Sequence, residues 1–298
     1  MDLFCTVVEL GSLSRAAEAH GIAQPSASSR IRGLERQLGL RLLTRSTTGS
    51  VPTADGLLVA EWATTVVHAA QSLSGAVDAL RARKGGHLRV AASYTIAEFL
   101  LPGWLAALRR TGAVVELDVM NSAKVLDVVR SGGADVGFVE SPGDAKGLRS
   151  VDVADDELCA VVAPDHPWAR RRGPLAARTL VATPLVLREA GSGTREALDV
   201  ALSEAGYGPV IASIELGSTT AVKTAVIGGA GPAVLSRIAV EAELASGRLV
   251  AMPVVGLDLH RRLRAVWRSG SAPEGPAEHL ISAARRGRPA PNRSGLRT

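Results

Sequence analysis

The chain has 298 residues and is 46% hydrophobic, 21% charged and 3% aromatic, which predicts about two globular domains and excludes a mainly disordered protein. Two cysteines, Cys5 and Cys159, exclude a disulfide scaffold, and no apolar run reaches the roughly 18 residues that a membrane span requires. The net charge of +5 does not by itself indicate nucleic acid, because five arginines within residues 280–298 account for it, and we expect a disordered basic tail at 286–298.

Short helices and a wing are predicted in the first fifty residues. Ser12 is suited to cap a helix that runs to Ala19, because its hydroxyl oxygen can accept from a free N–H of the first turn. Gln24 starts the next helix, with Pro25 in the first turn, where a missing N–H costs nothing. The inward face of that helix is Ala27, Ile31, Leu34 and Leu38. A two-stranded wing is expected from Leu42 to Thr53.

These helices have the spacing of a helix-turn-helix, with Ala17 as the small residue, Gly21 in the turn and Ala27 as the apolar anchor. Residues 30–45 contain five arginines and one acid, Glu35, which is the pattern of phosphate contact. Polar side chains at the start of a helix in the major groove can read base edges. The residues expected to bind DNA are Gln24, Pro25, Ser26, Ser28, Ser29, Arg30, Arg32, Arg45, Thr47 and Thr48. The alternative is a small structural bundle with a solvated basic face.

One long helix is predicted over residues 57–84, followed by a hinge at 84–86. Its apolar residues alternate in steps of four and three, which is typical of a helix that pairs with another helix. The residues of this seam are Val59, Ala63, Val66, Ala70, Leu73, Val77 and Leu80. We expect a second copy of the chain as the partner, and the alternative is a helix that packs on its own domain.

From His87 onward, strands alternate with helices, which predicts parallel sheets with right-handed crossovers, in one sheet or two. The predicted strands are 88–92, 114–119, 134–140, 158–163, 185–187, 211–216, 233–235 and 263–267. The predicted helices are 96–110, 124–131, 194–205 and 220–227.

The sequence contains no recognisable catalytic or metal-binding motif. Residues 229–231 lack the third glycine of a dinucleotide fingerprint, and residues 191–193 do not have the spacing of a nucleophile elbow. The six histidines are not spaced as metal ligands. We therefore expect no catalytic residue, no metal and no cofactor.

Five segments near the N-terminus resemble the LysR-type transcriptional regulators, namely 11–18, 24–28, 34–39, 42–45 and 53–56. The resemblance extends from Leu3 to about Arg268. It implies a winged helix-turn-helix, a dimerising linker helix, and an α/β effector domain of two periplasmic-binding-protein-like (type 2) subdomains. The partners it implies are a dyad-symmetric double-stranded DNA site, a small-molecule effector, further copies of the chain in a homodimer or tetramer, and RNA polymerase.

Domain boundaries follow from the resemblance and the predicted elements together. The predicted domains are the DNA-binding domain at 1–56, the linker helix and hinge at 57–86, and the effector domain at 87–270. The predicted parts of the effector domain are subdomain I at about 87–162 and 264–285, and subdomain II at about 163–263. The chain is expected to cross between the subdomains near Ala163 and again near Leu263.

Three hydroxyl-rich segments each follow a strand and begin a helix. Helix N-termini present free N–H groups and a positive dipole end, so together they predict an anion site in a cleft. The residues expected to line it are Ser93, Tyr94, Thr95, Ser141, Ser192, Gly193, Thr194, Arg195, Ser218 and Thr219. Arg195 is expected to supply a charged fork. The alternative is that each hydroxyl is only an N-cap, and that Ser141 only belongs to a turn.

Later segments resemble two groups within the family, the CysL-like regulators of sulfite reduction and the CbbR-like regulators of carbon-dioxide fixation. These segments are 92–98, 101–102, 157–158, 166–168, 187–195 and 215–219. Effectors in such groups are small and often anionic, which agrees with the anion site.

Two other classes of protein remain as alternatives. A solute-binding protein would carry an export signal, and the N-terminus lacks the basic and apolar segments of one. An enzyme built on the α/β part would carry a nucleophile, base or metal constellation, and none is recognised. We therefore expect a cytoplasmic regulator that does not contact a membrane.

Overall fold

The computed structural model describes residues 1–46, 49–83, 87–143, 145–270 and 272–286, without the side chains of 45, 46, 49, 68, 71–83 and 110. The chain divides into two compact units, Met1–Ala76 (unit 1) and Val77–Thr298 (unit 2). Several predicted residues lie outside the described part, either whole (Thr47 and Thr48) or in their side chains (Arg45, Leu73, Val77 and Leu80).

Unit 1 contains the predicted helices and the wing. Its described elements are α1 (Asp2–Leu10), α2 (Leu13–Ala19), α3 (Gln24–Leu38), β1 (Leu43–Ser46), β2 (Gly49–Pro52) and the first part of α4 (Ala54–Arg83). β1 and β2 pair antiparallel, from Leu43 opposite Pro52 to Ser46 opposite Gly49. α4 begins at Ala54 rather than at residue 57, because Thr53 Oγ1 accepts from the N–H of Gly56 at 2.9 Å.

Local signals explain how α2 and α3 begin and end. Ser12 Oγ accepts from the N–H of Arg15 at 3.3 Å, which confirms the predicted cap of α2. Gly21, in the turn between the helices, has a φ of +61°, a left-handed conformation that residues with a Cβ rarely adopt. α3 ends where Gly39 takes the same conformation, with a φ of +67°.

The core of unit 1 lies between its helices and the base of the wing. It includes Phe4, Val7, Ala16, Ala27, Ile31 and Leu42, all buried. The predicted inward face of α3 is confirmed at Ala27 and Ile31. It is wrong at Leu38, the last residue of the helix, which is 38% exposed.

The first turns of α4 pack on unit 1. Val59 and Ala63 are buried, and Cys5 Sγ of α1 lies 4.0 Å from the carbonyl oxygen of Ala60. Val66 is 60% exposed. The predicted seam is therefore wrong at Val59 and Ala63, because that side of α4 covers the core of its own unit.

Unit 2 has the predicted alternation of strands and helices. Its first described elements are β3 (His87–Ser93), α5 (Tyr94–Phe99), α6 (Leu101–Leu105), β4 (Val114–Met120), α7 (Ser122–Ser131), β5 (Val136–Val139) and β6 (Leu148–Val162). The next are β7 (Leu175–Ala176), α8 (Ala177–Val181), β8 (Leu185–Arg188), α9 (Gly193–Glu204), β9 (Ala212–Leu216) and α10 (Thr219–Ile227). The last are β10 (Ala233–Ser236), α11 (Arg237–Ala245), β11 (Val250–Met252), β12 (Val254–Val255), β13 (His260–Arg268) and α12 (Pro276–Arg286).

The main sheet of unit 2 mixes parallel and antiparallel strands. β3 lies between β4 and β5 and is parallel to both, as the alternation predicts. β8 and β9 form a separate parallel pair. The prediction of parallel sheets is wrong at β6, β10, β11 and β13, which pair antiparallel. Only consecutive parallel strands require a helical crossover, and these strands pair with partners distant in sequence.

β6 runs through two cores. Its residues 148–157 pair with β13, whereas its residues 158–162 pair with β10 and β11. One core lies around β3, β5 and the first part of β6 (subdomain I), and the other includes Leu158 and its neighbours on β8 and α9 (subdomain II). The strands change partner where the N–H of Leu158 donates to the carbonyl of Leu259 at 2.8 Å. The crossings therefore lie at Leu158 and Leu259 rather than near Ala163 and Leu263.

Two further differences concern helices. The predicted helix 96–110 is interrupted between α5 and α6, because Pro102 lies in the first turn of α6 and cannot donate a backbone hydrogen bond. The predicted helices also omit α8, α11 and α12, and α12 buries Leu280 and Ala284 in the core of subdomain I. Residues 287–298, most of the predicted basic tail, lie outside the described residues.

Candidate functional site

The outward face of α3 carries the residues predicted to bind DNA. Those that are exposed are Gln24, Pro25, Ser26, Ser29, Arg30 and Arg32, and Ser28 is half-buried. Ala27 and Ile31 hold the opposite face of the helix in the core. The amphipathic pattern of α3 thus separates a packing face from a polar, basic face.

Glu35, the acid within the basic segment, holds the wing. Its Oε1 accepts from the backbone N–H of Leu42 at 2.8 Å and from that of Leu43 at 3.2 Å. An open groove beside it is lined by Ser29, Arg32, Glu35, Arg36, Gly39, Leu40 and Arg41. Three arginines line this groove against one carboxylate, so its charge is positive overall.

In unit 2, three serines occupy the N-cap positions of α5, α9 and α10, namely Ser93, Ser192 and Ser218. Ser218 caps its helix, because its Oγ accepts from the N–H of Ala221 at 3.1 Å. Ser93 and Ser192 make no such side-chain hydrogen bond. The reading of these serines as simple caps therefore fits Ser218 and not the other two.

Buried hydroxyls gather at two of these helix starts. Ser93, Thr95 and Ser192 are at most 1% exposed, and their hydroxyl oxygens have no hydrogen-bond partner within the described part of the chain. A buried polar group without a partner costs about 1–3 kcal/mol. Such groups are rare in folded proteins unless a water or a ligand satisfies them.

A buried arginine connects two helix starts. Arg188, the last residue of β8, has a side chain that is 1% exposed. Its Nη1 donates to Thr219 Oγ1 at 3.0 Å, and its guanidinium carbon lies 5.0 Å from the centroid of the Tyr94 ring. Its Nε and Nη2 donate to the two carboxylate oxygens of Glu189 at 2.8 and 2.9 Å. The starts of α5 and α10 therefore meet at one cation.

A second buried arginine connects the start of α9 to the crossing strands. Arg261 of β13 pairs with Asp156 of β6 at 2.7 Å and with Glu140, just after β5, at 2.5 Å. Its Nη1 donates to Thr194 Oγ1 at 3.2 Å. Burial alone would lower the pKa of Arg261, but Glu140 and Asp156 raise it above its ordinary value. Ser236 Oγ completes the group by donating to Asp156 Oδ1 at 2.9 Å.

Gly193 lets α9 approach subdomain I. A Cβ at this position would lie 2.6 Å from Cγ of Glu140 and 2.7 Å from Oγ of Ser122, closer than such atoms pack. The adjoining loop is also tied, because the N–H of Ala123 donates to the carbonyl of Gly191 at 3.1 Å. The N-terminus of α9 is thereby held against the ends of β5 and the start of α7.

Two predicted residues are held by other neighbours. Arg195 Nε donates to both oxygens of Asp199, at 3.0 and 3.1 Å, and lines a separate open groove with Glu215. The expectation that Arg195 supplies the charged fork is therefore corrected, since its Nε is held within its own helix, whereas Arg188 is buried where the starts of α5 and α10 meet. Ser141 is 2% exposed, and its carbonyl oxygen accepts from Arg264 Nη2 at 2.6 Å.

Sequence reasoning missed both buried arginines. Arg261 belongs to a basic run, 260–264, that looks solvated when read by composition. The period of a half-buried strand, however, places Arg261 on the same face as Leu263 and Ala265, and all three are buried. That alternation is the signal that could have found Arg261. For Arg188, which ends the buried strand β8, we find no comparable signal.

The thiol of Cys159 is not a reactive group. Cys159 lies in β6, and burial raises its pKa to about 12, so the protonated form prevails at neutral pH. Among the described residues, no cluster of three His, Cys, Asp or Glu side chains could hold a metal ion. In the same ranges, no helix combines the length and the apolar character needed to cross a bilayer.

Two family models match the chain. The model described as "Bacterial regulatory helix-turn-helix protein, lysR family" matches residues 1–57, and the model described as "LysR substrate binding domain" matches residues 81–288. The first match contains α1, α2, α3 and the wing, and the second contains the strands and helices of the candidate site.

Similar curated proteins are described as transcriptional regulators. The chain is 43% identical over 294 residues to the uncharacterized HTH-type transcriptional regulator Rv2282c of Mycobacterium tuberculosis, which covers 94% of both chains. It is 34% identical over 265 residues to the HTH-type transcriptional regulator CysL of Bacillus subtilis, which covers 88% of both chains.

Solved structures with a similar fold include one with a ligand and one with DNA. The regulatory domain of Synechocystis PCC6803 CcmR, in complex with 2-PG, is 25% identical with a TM-score of 0.61 over 68% of this chain and 99% of that one. Full-length CbnR, complexed with its target DNA, is 25% identical with a TM-score of 0.51 over 95% of this chain and 98% of that one.

Proposed function

The chain belongs to the LysR family of transcriptional regulators, and from that premise we propose that a small anion bound in unit 2 controls its binding to promoter DNA. The family and the relatives are regulators rather than enzymes, so the enzyme and solute-binding alternatives are not favoured. The relation to CysL agrees with the resemblance to the CysL-like group. We further propose a cytoplasmic location, where the DNA is, and RNA polymerase as a later partner.

For DNA, the proposal rests on the exposed polar and basic face of α3. Arg30 and Arg32 provide phosphate contacts, and Gln24, Ser26 and Ser29 are placed near the start of the helix, where they reach base edges. Two such helices in a symmetric dimer read two half-sites, which is why we propose a dyad-symmetric promoter site.

We propose that the second copy packs on an apolar stripe of α4 that shares Val66 with the predicted seam but not Val59 or Ala63. Leu58, Trp62 and Val66 are spaced by four residues and are 51%, 64% and 60% exposed. Side chains at this spacing share one helix face. Val59 and Ala63, each one residue further along and about 100° around the helix from Leu58 and Trp62, are buried in unit 1. Burying a tryptophan and two aliphatic side chains against a second copy favours association through the hydrophobic effect.

A charge at Trp62 is expected to dissociate the oligomer. The substitution Trp62→Glu places a carboxylate in the proposed interface, where it would lose its hydration without gaining a partner. Light scattering coupled to size-exclusion chromatography measures the mass. Leu57→Glu, at a residue that is 55% exposed on another side of α4, is the matched control and keeps the native mass. An unchanged mass for Trp62→Glu would exclude this stripe as the interface.

For the effector, one observation carries the proposal: three buried hydroxyls, of Ser93, Thr95 and Ser192, have no partner within the described part of the chain. Ser93 and Thr95 flank Tyr94, whose ring contacts Arg188, and Ser192 follows Arg188 by four residues. Hydroxyl and helix N-terminal N–H groups donate to anions, and α9 and α10 both begin here. Thr194, which Arg261 holds, stays in the proposed site.

A thermal-shift screen of small anions tests this proposal. Sulfate, sulfite, phosphate and small carboxylates are compared with chloride at constant ionic strength, because a specific ligand raises the unfolding temperature by binding the native state. A true effector must also change the DNA footprint. If no anion stabilises the protein beyond chloride, the anion proposal fails while the DNA-binding proposal stands.

Removing the Thr95 hydroxyl is expected to weaken binding of the anion that the screen identifies. A hydrogen bond to a charged group contributes about 1.5–3 kcal/mol, so Thr95→Ala should raise the dissociation constant by about 10- to 100-fold. Binding to promoter DNA should not change. Thr220→Ala, at an exposed position in the first turn of α10, is the matched control. Equal affinity of Thr95→Ala and the native protein would remove Thr95 from the site.

A further inference from the structure

We propose that Arg188 recognises the negative charge of the effector, and that the carboxylate of Glu189 occupies this position until the effector displaces it. The inference rests on the proposed anionic effector. It adds that Arg188 binds the negative charge and that the Arg188–Glu189 ion pair competes with the effector. Arg188 takes the role predicted for Arg195, whose Nε is held by Asp199 of its own helix.

Arg188 meets the physical requirements of an anion receptor. Its guanidinium is 1% exposed, and a buried charge has to be paired, because desolvation without a partner costs several kcal/mol. The planar fork offers two parallel N–H groups, a geometry that matches two oxygens of an oxyanion. The Tyr94 ring lies against the guanidinium, and the remaining nitrogen, Nη1, donates a hydrogen bond to Thr219 Oγ1 at 3.0 Å. The orientation of the fork is thereby fixed by both subdomains.

Glu189 holds the fork as an anionic ligand would. Its two oxygens lie 2.8 and 2.9 Å from Nε and Nη2 of Arg188. The Glu189 side chain is 21% exposed, whereas that of Arg188 is 1% exposed, so the carboxylate can move toward water while the cation cannot. Both backbone polar groups of Glu189 are hydrogen-bonded. Its N–H donates to the carbonyl oxygen of Leu216, and its carbonyl oxygen accepts from the N–H of Ser192, each at 3.2 Å. Displacement therefore requires only a side-chain rotation.

The unpartnered hydroxyls on either side of Tyr94 and at the start of α9 narrow the chemical class of the effector. Glu189 supplies two oxygens, and both are used by the fork. The hydroxyls of Ser93, Thr95 and Ser192 still lack acceptors among the described residues. An anion that displaces Glu189 and also satisfies these hydroxyls needs more than two acceptor oxygens. We therefore infer a sulfur or phosphorus oxyanion, or a carboxylate that carries further oxygens, rather than a simple monocarboxylate.

The substitution Glu189→Gln tests whether Glu189 competes with the effector for Arg188 or only positions Arg188. If Glu189 competes with the effector, its neutralisation should tighten binding of sulfate, sulfite or phosphate by about tenfold in isothermal titration, because the internal competitor is weakened. The same variant should unfold at a lower temperature without anion, since Arg188 loses its charged partner, and should gain more from added anion than the native protein does. Glu215→Gln, exposed on β9, removes the same charge and is the matched control.

Each outcome decides the inference. Tighter binding by Glu189→Gln, with Glu215→Gln unchanged, supports displacement. Equal or weaker binding by Glu189→Gln, when the native protein binds the anion, overturns it and leaves the anion proposal intact, because Glu189 then only positions Arg188. If neither the native protein nor Glu189→Gln binds any of the three anions, both the anion proposal and this inference fail.

Discussion

Replacing Arg32 with alanine is expected to weaken binding to the promoter site by about 10- to 100-fold. Arg32 is exposed on α3 and lines the open groove together with Arg36 and Arg41. Loss of one phosphate contact should also reduce the slope of log affinity against log salt by about 0.9, because fewer counterions are released. Fluorescence anisotropy with a labelled promoter fragment at several KCl concentrations measures both quantities.

Two further variants make this result specific. Ser29→Ala removes a hydroxyl from the same face without changing the charge, so it should lower affinity with an unchanged salt slope. Arg172→Ala removes the same charge as Arg32→Ala from an exposed position in unit 2, and we expect native affinity. Native binding by both Arg32→Ala and Ser29→Ala would refute the assignment of this face to DNA.

Replacing Arg261 with methionine is expected to destabilise unit 2 by about 3–5 kcal/mol, the usual cost of removing one partner from a buried ion group. The carboxylates of Glu140 and Asp156 are 2% and 0% exposed, and both depend on Arg261 for their charge partner. Methionine preserves much of the side-chain length and supplies no positive charge. Urea unfolding followed by tryptophan fluorescence measures the loss as a lower midpoint.

The neighbouring residue provides the control for this effect. Arg262 also belongs to β13 and also pairs with an aspartate, Asp152, at 2.7 Å, but its side chain is 69% exposed. An exposed ion pair contributes about 0–1 kcal/mol, so Arg262→Met should unfold close to the native midpoint. If Arg261→Met and Arg262→Met lost equal free energy of unfolding, burial of the Arg261 ion group would not determine its contribution to stability.

Much of the fold could be predicted because the relevant signals are local. Ser12 caps α2, Pro25 lies in the first turn of α3, and Ala27 and Ile31 repeat at the spacing of a buried helix face. These patterns depend on a few consecutive residues, so the sequence alone locates the helices of unit 1. Most strands of unit 2 are predicted for the same reason, but the short strands β7, β11 and β12 and the first, largely polar part of β6 are not.

The candidate site was predictable only in part. The hydroxyl-rich helix starts form a local sequence pattern. The N-cap positions of α5, α9 and α10 are indeed occupied by Ser93, Ser192 and Ser218. Whether a hydroxyl caps its own helix or is left free is decided by packing, and Ser218 differs from the other two in this respect. Tertiary contacts likewise decide that Arg188 is buried while the side chain of Arg195 remains partly exposed.

The amino-acid sequence predicts the helix-turn-helix, the wing and the alternation of strands and helices, because each depends on spacing within one or two elements, and its motif segments resemble one family. The tertiary structure decided which face of α4 is buried, where β6 passes from one core to the other, and which arginines are enclosed. The pairing of Arg261 with Asp156, which are 105 positions apart, shows the reason. The free energy of a buried charge depends on partners brought together by the whole unit, and no local pattern specifies those partners.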